Sequence, residues 1–298
     1  MKLKVWFFET RPQFLLLSVV LAFLGTSIAW YDGYFRLGYA LLAFFGLLLC
    51  HISVNALNDY FDYRSGIDLE VRRTPFSGGS GILPASLLKP RQVFWLGLVS
   101  FLLAVPIGVY FVMTLDGGWR LLPLLAVAAV CTLLYTPLLT RLKWPEWAPG
   151  VGLGALPVLG TYFVQTAAYT IPAVIAAIPS GILVHNLLLL NEFPDAEADR
   201  KAGRKTLPIT MGKKKAGMVY SALTLFVYVW ITGWVMAGKM PAFSLIALLT
   251  LPLAIKAIQG ARKPEDMGRL VPAMANNVLV VLLTQLLLGI GYILERVF

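Results

Sequence analysis

Long apolar runs alternate with short polar segments along the whole chain, and the runs have membrane-crossing length. A bilayer core takes about 20 mostly apolar residues per helix. Nine stretches meet that requirement: 14–31, 37–57, 93–113, 120–138, 147–166, 171–190, 217–237, 241–258 and 275–294. Several carry Pro106, Pro123, Pro157, Pro179 or Pro252, and one carries the series Gly150, Gly152 and Gly154. Membrane helices tolerate such residues where neighbouring helices satisfy the freed backbone groups, and small residues let helices approach closely. No low-complexity stretch or linker interrupts the alternation, which predicts a single domain over residues 1–298. The predicted fold class is all-α, a polytopic membrane helical bundle of nine transmembrane helices with helix-loop caps on the cytoplasmic side. The first run is too long for a secretory leader, has no small-residue cleavage site after it and is followed by many similar runs. It reads as a retained span.

Composition agrees with lipid as the solvent. Of 298 residues, 58% are hydrophobic and 13% charged, with a mean hydropathy of +0.76. A soluble domain of this size carries roughly twice that charge, about 25%. The net charge of +10 would point to nucleic acid in a soluble protein, but here the charges lie in loops between apolar runs. No nucleic-acid partner is expected; the partner surface is the bilayer. Cys50 and Cys131 both lie inside apolar runs without a CxxC spacing, so they read as small core residues rather than a disulfide or zinc pair.

Charge asymmetry orients the chain. With nine spans, the N-terminus and the even-numbered loops hold all 25 Lys and Arg residues except Arg36, Arg120, Lys239 and Arg296. The positive-inside rule makes that side cytoplasmic. Eight of the 15 acidic residues cluster on the same side: Asp59, Asp62, Asp68 and Glu70 after the second span, Glu192, Asp195, Glu197 and Asp199 after the sixth.

Both clusters follow helix spacing. In NALNDYFDYRSGID, residues 55–68, Asn55, Asn58, Asp59 and Asp62 fall at i, i+3, i+4 and i+7, with His51 one turn earlier. In NEFPDAEADRKAGRKT, residues 191–206, Asn191, Asp195 and Asp199 fall at i, i+4 and i+8, and Pro194 can re-aim that helix. The shared Asn-x-x-x-Asp, four spans apart, is a faint internal repeat. Clustered carboxylates repel unless a cation neutralises them, and Mg²⁺ prefers hard oxygens shared with substrate phosphates. Basic residues follow each cluster: Arg64, Arg72 and Arg73, then Arg200, Lys201, Arg204 and Lys205. Arg and Lys bind phosphate oxygens. Acid for metal and base for phosphate at one membrane face fits an Mg²⁺-bound diphosphate head group, with an apolar tail among the spans. Loop charges at helix ends are often merely solvated, but a matched pair of motifs is far more specific than one.

These residues resemble the UbiA superfamily of membrane-embedded aromatic prenyltransferases. Asn58-Asp59-Tyr60-Phe61-Asp62 matches its Asn-Asp-x-x-Asp motif after the second helix, and Asp195-Ala196-Glu197-Ala198-Asp199 matches its Asp-x-x-x-Asp motif after the sixth. The wording is most similar to the menaquinone branch, which prenylates 1,4-dihydroxy-2-naphthoate, as is the stretch TPFSGGSGILPASLLKP, Thr74 to Pro90. The 4-hydroxybenzoate branch usually has a third Asp where this chain has Gly66, with Asp68 the next acid.

The resemblance implies an Mg-dependent polyprenyltransferase of the cell (inner) membrane, acting on a polyprenyl diphosphate and an aromatic acceptor with its site on the cytoplasmic side. Asp59, Asp62, Asp195 and Asp199 are the expected metal ligands, and these with Asp68 the expected catalytic residues. Asn55, Asn58, Arg72, Arg73, Lys143, Asn191, Arg204 and Lys205 are the expected substrate-binding residues. Tyr60, Phe61 and Tyr135 are candidate aromatic faces for an allylic cation, with ordinary packing the competing reading. Asp68 and His51 are candidate proton acceptors, and His185 is an intramembrane histidine of the same standing. Gly78, Gly79 and Gly81 read as a surface turn or a lid, and Lys213–Lys215 as a contact for anionic lipid. Rival readings are prenyl transfer to 4-hydroxybenzoate, homogentisate or a glycerol phosphate, and, from another class, a transporter. Transporters place their charges near the midplane, whereas these acids sit at span ends.

Overall fold

The computed structural model describes residues 2–71 and 73–298. After a short leading helix, α1 (Lys2–Glu9), eight helices are long and apolar enough to cross a membrane: α2 (Pro12–Tyr31), α3 (Leu37–Ser65), α4 (Pro90–Thr114), α6 (Trp147–Thr166), α7 (Ile171–Lys201), α8 (Lys213–Met236), α9 (Ala242–Ala261) and α10 (Met267–Val297). A shorter apolar helix, α5 (Gly118–Leu133), lies between α4 and α6. Among the described residues there is a helix for each of the nine apolar runs. The fourth stops earlier than its run, at Leu133 rather than 138. Residues 134–138 are apolar but turn, with Pro137 among them, because hydropathy reports the solvent and not the backbone conformation.

The second and sixth helices run further than their apolar stretches. α3 has 29 residues and α7 has 31. At about 1.5 Å per residue each exceeds the roughly 30 Å hydrocarbon core. The surplus turns carry both acidic motifs beyond the apolar part of the bundle, at the same end. α7 stays helical through Pro179 and Pro194, so Pro194 does not break the second motif.

Packing is tightest where side chains are small. α6 contains a π-helical segment, Val151–Ala155, flanked by Gly150. A Cβ at Gly154 would lie 2.7 Å from the Ser180 carbonyl, and one at Gly152 would lie 2.5 Å from Cys131 Cβ. The glycine series thus lets α6 touch both α7 and α5. The main core joins α2, α6, α7, α8 and α10 through Leu24, Ile28, Tyr162, Ala176, Val227, Ile231 and Leu288. Some polar groups inside it are paired: Tyr228 meets Thr250 at 2.8 Å, and Thr250 meets Thr284 at 2.8 Å. The outward sides of α4 and α8 expose Leu102, Leu103, Leu225 and Val229, which suits lipid rather than water.

Candidate functional site

The first motif is buried. Asn55, Asp59 and Asp62 all lie on the inward face of α3. Gly66, with φ of 84°, ends that helix in the left-handed region. The chain then folds back through the single turn Ile67–Glu70, which buries Asp68 against the glycine-rich loop. A Cβ at Gly79 would lie 2.8 Å from Asp68 Oδ2, and its φ of 71° also favours glycine there.

From the other side, α7 presents Asn191, Asp195 and Asp199, and the loop after it brings back Arg204. Arg204 donates to Asp199 Oδ1 at 2.9 Å and also bonds Asp62, so one guanidinium ties the two motifs together. Asp62 and Asp199, acting first among opposite charges, raise the Arg204 pKa against the cost of burial. The loop is held from below. Lys205 N donates to the Thr140 carbonyl and Trp144 N to the Lys205 carbonyl, both at 3.1 Å, while Leu207 N donates to Glu146 Oε1.

These groups line a cavity of about 100 Å³, whose walls include Asn58, Asp62, Asp68, Asn191, Asp195, Asp199 and Arg204. Asn58 Nδ2 donates to Asp62 Oδ2 at 2.9 Å. Arg11, at the left-handed N-cap of α2, donates to Asn58 Oδ1 at 3.5 Å and lies 3.6 Å from Asp59 Oδ1. Burial, followed by the charges of Asp62 and Asp59, pushes Asp68 up to about 8. Glu9, buried beside Asp59, is pushed up to about 8 as well, first by burial and then by Asp59.

The cavity does not stand alone. A second space of about 120 Å³ shares Arg11, Asn58, Tyr135 and Leu188 with it. A third, of about 130 Å³ and lined mainly by apolar groups such as Leu47, Ile107 and Leu125, shares Thr132 and Gly152 with the second. Charged groups at one end therefore give way to an apolar track between α3, α4, α5 and α6.

Not every expected residue reaches the cavity. Asp59 is 1% exposed and lies behind the wall, accepting from Ser80 N at 2.8 Å. Asn55 borders the second space and donates to the Thr10 carbonyl at 3.0 Å. Arg73 lies outside the cavity, its Nε donating to the Gly78 carbonyl at 3.1 Å. Lys143 and Lys205 are exposed, because their loops pair through backbone atoms and turn these side chains outward. Arg72 lies outside the described residues. His51 meets Ser18 Oγ at 3.0 Å and His185 meets Asn186 Oδ1 at 3.3 Å, both within the bundle. Of the three aromatic candidates, Tyr135 lines the path, while Tyr60 packs on Phe94 with ring centroids 5.0 Å apart and on Phe61. Arg11, Glu9 and Glu146 belong to the site without any motif to announce them, and Ser80 lies in the Thr74 to Pro90 stretch without having been given a role. The one local signal was a lone acid, Glu9, directly before the first span.

The donor set fits a hard divalent cation. Buried oxygens without a partner include Asp195 Oδ1, Asn191 Oδ1, Asp59 Oδ1 and Glu192 Oε2. Oxygen atoms of this kind are what Mg²⁺ takes, with substrate phosphate and water completing its shell. Among the described residues, no three acidic, His or Cys side chains stand close enough to hold an ion by themselves.

Comparison with known proteins points the same way. A 1,4-dihydroxy-2-naphthoate octaprenyltransferase of Bacillus subtilis is 30% identical over 289 residues, covering 96% of this chain and 91% of that protein. The Escherichia coli protein of the same name is 25% identical, covering 98% and 96%. Among solved structures, a UbiA homologue from Aeropyrum pernix superposes with a TM-score of 0.68 at 18% identity, covering 94% of this chain and 97% of that one. One from Archaeoglobus fulgidus, bound to GPP and Mg²⁺, gives 0.61 at 13% identity, covering 95% and 99%. The sequence profile of the UbiA prenyltransferase family matches residues 16–283. With that match over most of its length, the chain belongs to the UbiA prenyltransferase family.

Proposed function

We propose that this protein transfers a polyprenyl group from polyprenyl diphosphate to a ring carbon of 1,4-dihydroxy-2-naphthoate, the prenyl-transfer step of menaquinone biosynthesis. The observation that carries this reading is the convergence of both acidic motifs and Arg204 on one polar cavity that continues into an apolar track. The relatives named as 1,4-dihydroxy-2-naphthoate octaprenyltransferases support the choice of acceptor. The catalytic unit is taken as the whole of residues 1–298. The N-terminus and the site are taken as cytoplasmic, in a cell (inner) membrane protein, from the distribution of Lys and Arg.

In this reading Asp62 on one wall, with Asp195 and Asp199 on the other, would hold Mg²⁺, and Asp59 behind Asp62 would add its charge or its free Oδ1. When bound, the ion supplies Lewis-acid neutralisation of the diphosphate. Arg204 and Arg11 donate to the same phosphate oxygens, where charge grows as the allylic C–O bond breaks and its electron pair leaves with diphosphate. Asn58 and Asn191 orient the head group. The apolar track holds the tail and keeps water from the allylic carbon, and the Tyr135 ring lies at the junction. The electron-rich ring of the acceptor attacks that carbon, forming the new C–C bond, Asp68 receives the phenolic proton, and the aromatic diol is regained when the substituted ring carbon releases the group it carried, a proton or its carboxylate as CO₂. A carboxylate raised towards neutrality is a better base than an ordinary one.

The test is an acceptor panel on purified protein with a polyprenyl diphosphate, with Mg²⁺ or with EDTA, read by mass spectrometry. A prenylated product from 1,4-dihydroxy-2-naphthoate in Mg²⁺ alone is expected. Product only from 4-hydroxybenzoate or homogentisate would keep the chemistry and overturn the acceptor, and product only from a glycerol phosphate would overturn the ring-carbon attack as well. Diphosphate binding without any product would overturn the reaction.

A further inference from the structure

One buried acid near the site touches no substrate cavity. Glu9, the last residue of α1, is 0% exposed. Its Oε2 accepts the Ser80 hydroxyl at 2.9 Å. Ser80 N donates to Asp59 Oδ2 at 2.8 Å, and Ser80 Oγ accepts from Ile82 N at 3.2 Å. Ser80 is thus held between two carboxylates from two elements, α1 and α3. It is also the single non-glycine residue in Gly78–Gly81, where all three glycines have φ between 71° and 79°. Ser77, Gly78 and Gly79 of this loop form part of the polar cavity wall. A segment so rich in glycine has little conformational preference of its own, so its place must come from outside it. Side chains that hydrogen-bond the loop include those of Glu9, Asp59 and Arg73, with Asp195 beside Gly78 from α7, and of these only Arg73 is a local neighbour.

We infer that Glu9 is a positioning residue which, through Ser80, fixes the Gly78–Gly81 loop over the diphosphate cavity and holds Asp59 in orientation. α1 is anchored for this purpose. The Thr10 carbonyl accepts from Asn55 at 3.0 Å, so the backbone beside Glu9 is pinned to α3 one turn before Asp59. Loosening the clamp lets the loop move off the cavity and weakens capture of the head group, while the groups on the cavity wall itself, Asp62, Asp195, Asp199 and Arg204, stay in place. The inference rests on the transferase reading for its kinetic consequence, but its structural consequence can be read without any substrate.

The experiment compares Glu9→Ala, Glu9→Gln, Ser80→Ala and the Glu9→Ala/Ser80→Ala double variant in the full-length protein. Backbone hydrogen exchange over residues 77–81 is measured in detergent, and KM and kcat are measured for a polyprenyl diphosphate. Glu9→Ala and Ser80→Ala are each expected to speed exchange of the loop and to raise KM about tenfold, the scale of one lost hydrogen bond, with kcat within about twofold. The double variant is expected to match the single ones, because one clamp is lost once. Glu9→Gln keeps a carbonyl oxygen to accept the hydroxyl and is expected to stay near wild type. Unchanged loop exchange in Glu9→Ala, multiplying effects in the double variant, or a Glu9→Gln as impaired as Glu9→Ala would each overturn the inference. If Glu9→Ala does not fold, Ser80→Ala decides, and unchanged exchange there overturns it. Wild-type protein that binds the diphosphate without transferring it, yet shows the predicted exchange, would refute the transferase reading and leave the clamp standing.

Discussion

The two acidic helix ends share Asn-x-x-x-Asp in sequence and differ in how their oxygens are satisfied. On α3, Asp62 accepts from Asn58 and Arg204, and Asp59 accepts from Ser80 beside Arg11. On α7, Asp199 has Arg204, but Asp195 Oδ1 and Asn191 Oδ1 are buried with no partner. Buried polar atoms left unpaired cost free energy, so such atoms mark where an outside group completes the structure. Asp59 Oδ1 on α3 also lacks a hydrogen bond, but Arg11 lies 3.6 Å from it, so two guanidinium groups stand beside the first end's carboxylates and one, that of Arg204, beside the second's. A repeated motif therefore fixes where the oxygens stand and leaves their electrostatic state to loops supplied from elsewhere.

The largest effect expected from this contrast is chelation. EDTA should abolish product formation, and added Mg²⁺ should restore it, as read by mass spectrometry. Arg204→Ala is also strongly impaired, because one guanidinium serves both ends. Removing a donor to developing charge typically costs about 10²-fold, and that fall is expected in kcat/KM. A smaller effect separates the ends directly. Asp195→Ala should raise the Mg²⁺ concentration needed for half-maximal activity by about tenfold more than Asp59→Ala does, since Asp59 already has Ser80 and Arg11 for company. Equal shifts would remove the asymmetry.

The smallest effect is on stability. Glu9 and Asp68 are both raised to about 8 in the folded protein, from ordinary values of 4.5 and 3.8. Between those limits the folded chain binds more protons than the unfolded one, so stability is greatest at the acid end and falls as pH rises towards about 8. Metal-free protein should lose thermal stability from pH 5 to pH 8, and Glu9→Gln or Asp68→Asn should flatten the slope. A wild-type profile that rises over that range would contradict the placement of these two acids.

The spans and both motifs were legible because each is periodic: apolar length sets a span, and i, i+4 spacing sets a face. Even the overrun of α3 could be read, since Asn55 to Asp62 make one face only if the helix continues. Helix endings in apolar sequence were less legible, as residues 134–138 show. The roles of the contributors from other segments were not legible. Glu9 at the end of α1, Ser80 and Glu146 reach the site through tertiary contacts, and apart from the lone acid before the first span nothing in their local sequence reports those contacts. Lys143 and Lys205 failed in the opposite sense. Their charge suited phosphate, but backbone pairing between the two loops decides where their side chains point.

The central claim is that the two motifs form one site, and a double-variant cycle on Asp62 and Asp199 tests it most directly. Each is bonded by the same guanidinium. Asp62→Ala and Asp199→Ala, in protein shown to be folded, should each lower kcat/KM by about 10³-fold, and the double variant should lie within about tenfold of either, because groups acting as a unit are lost together. Losses that multiply in the double variant, or either single variant keeping most of its activity, would show that the motifs do not share a site.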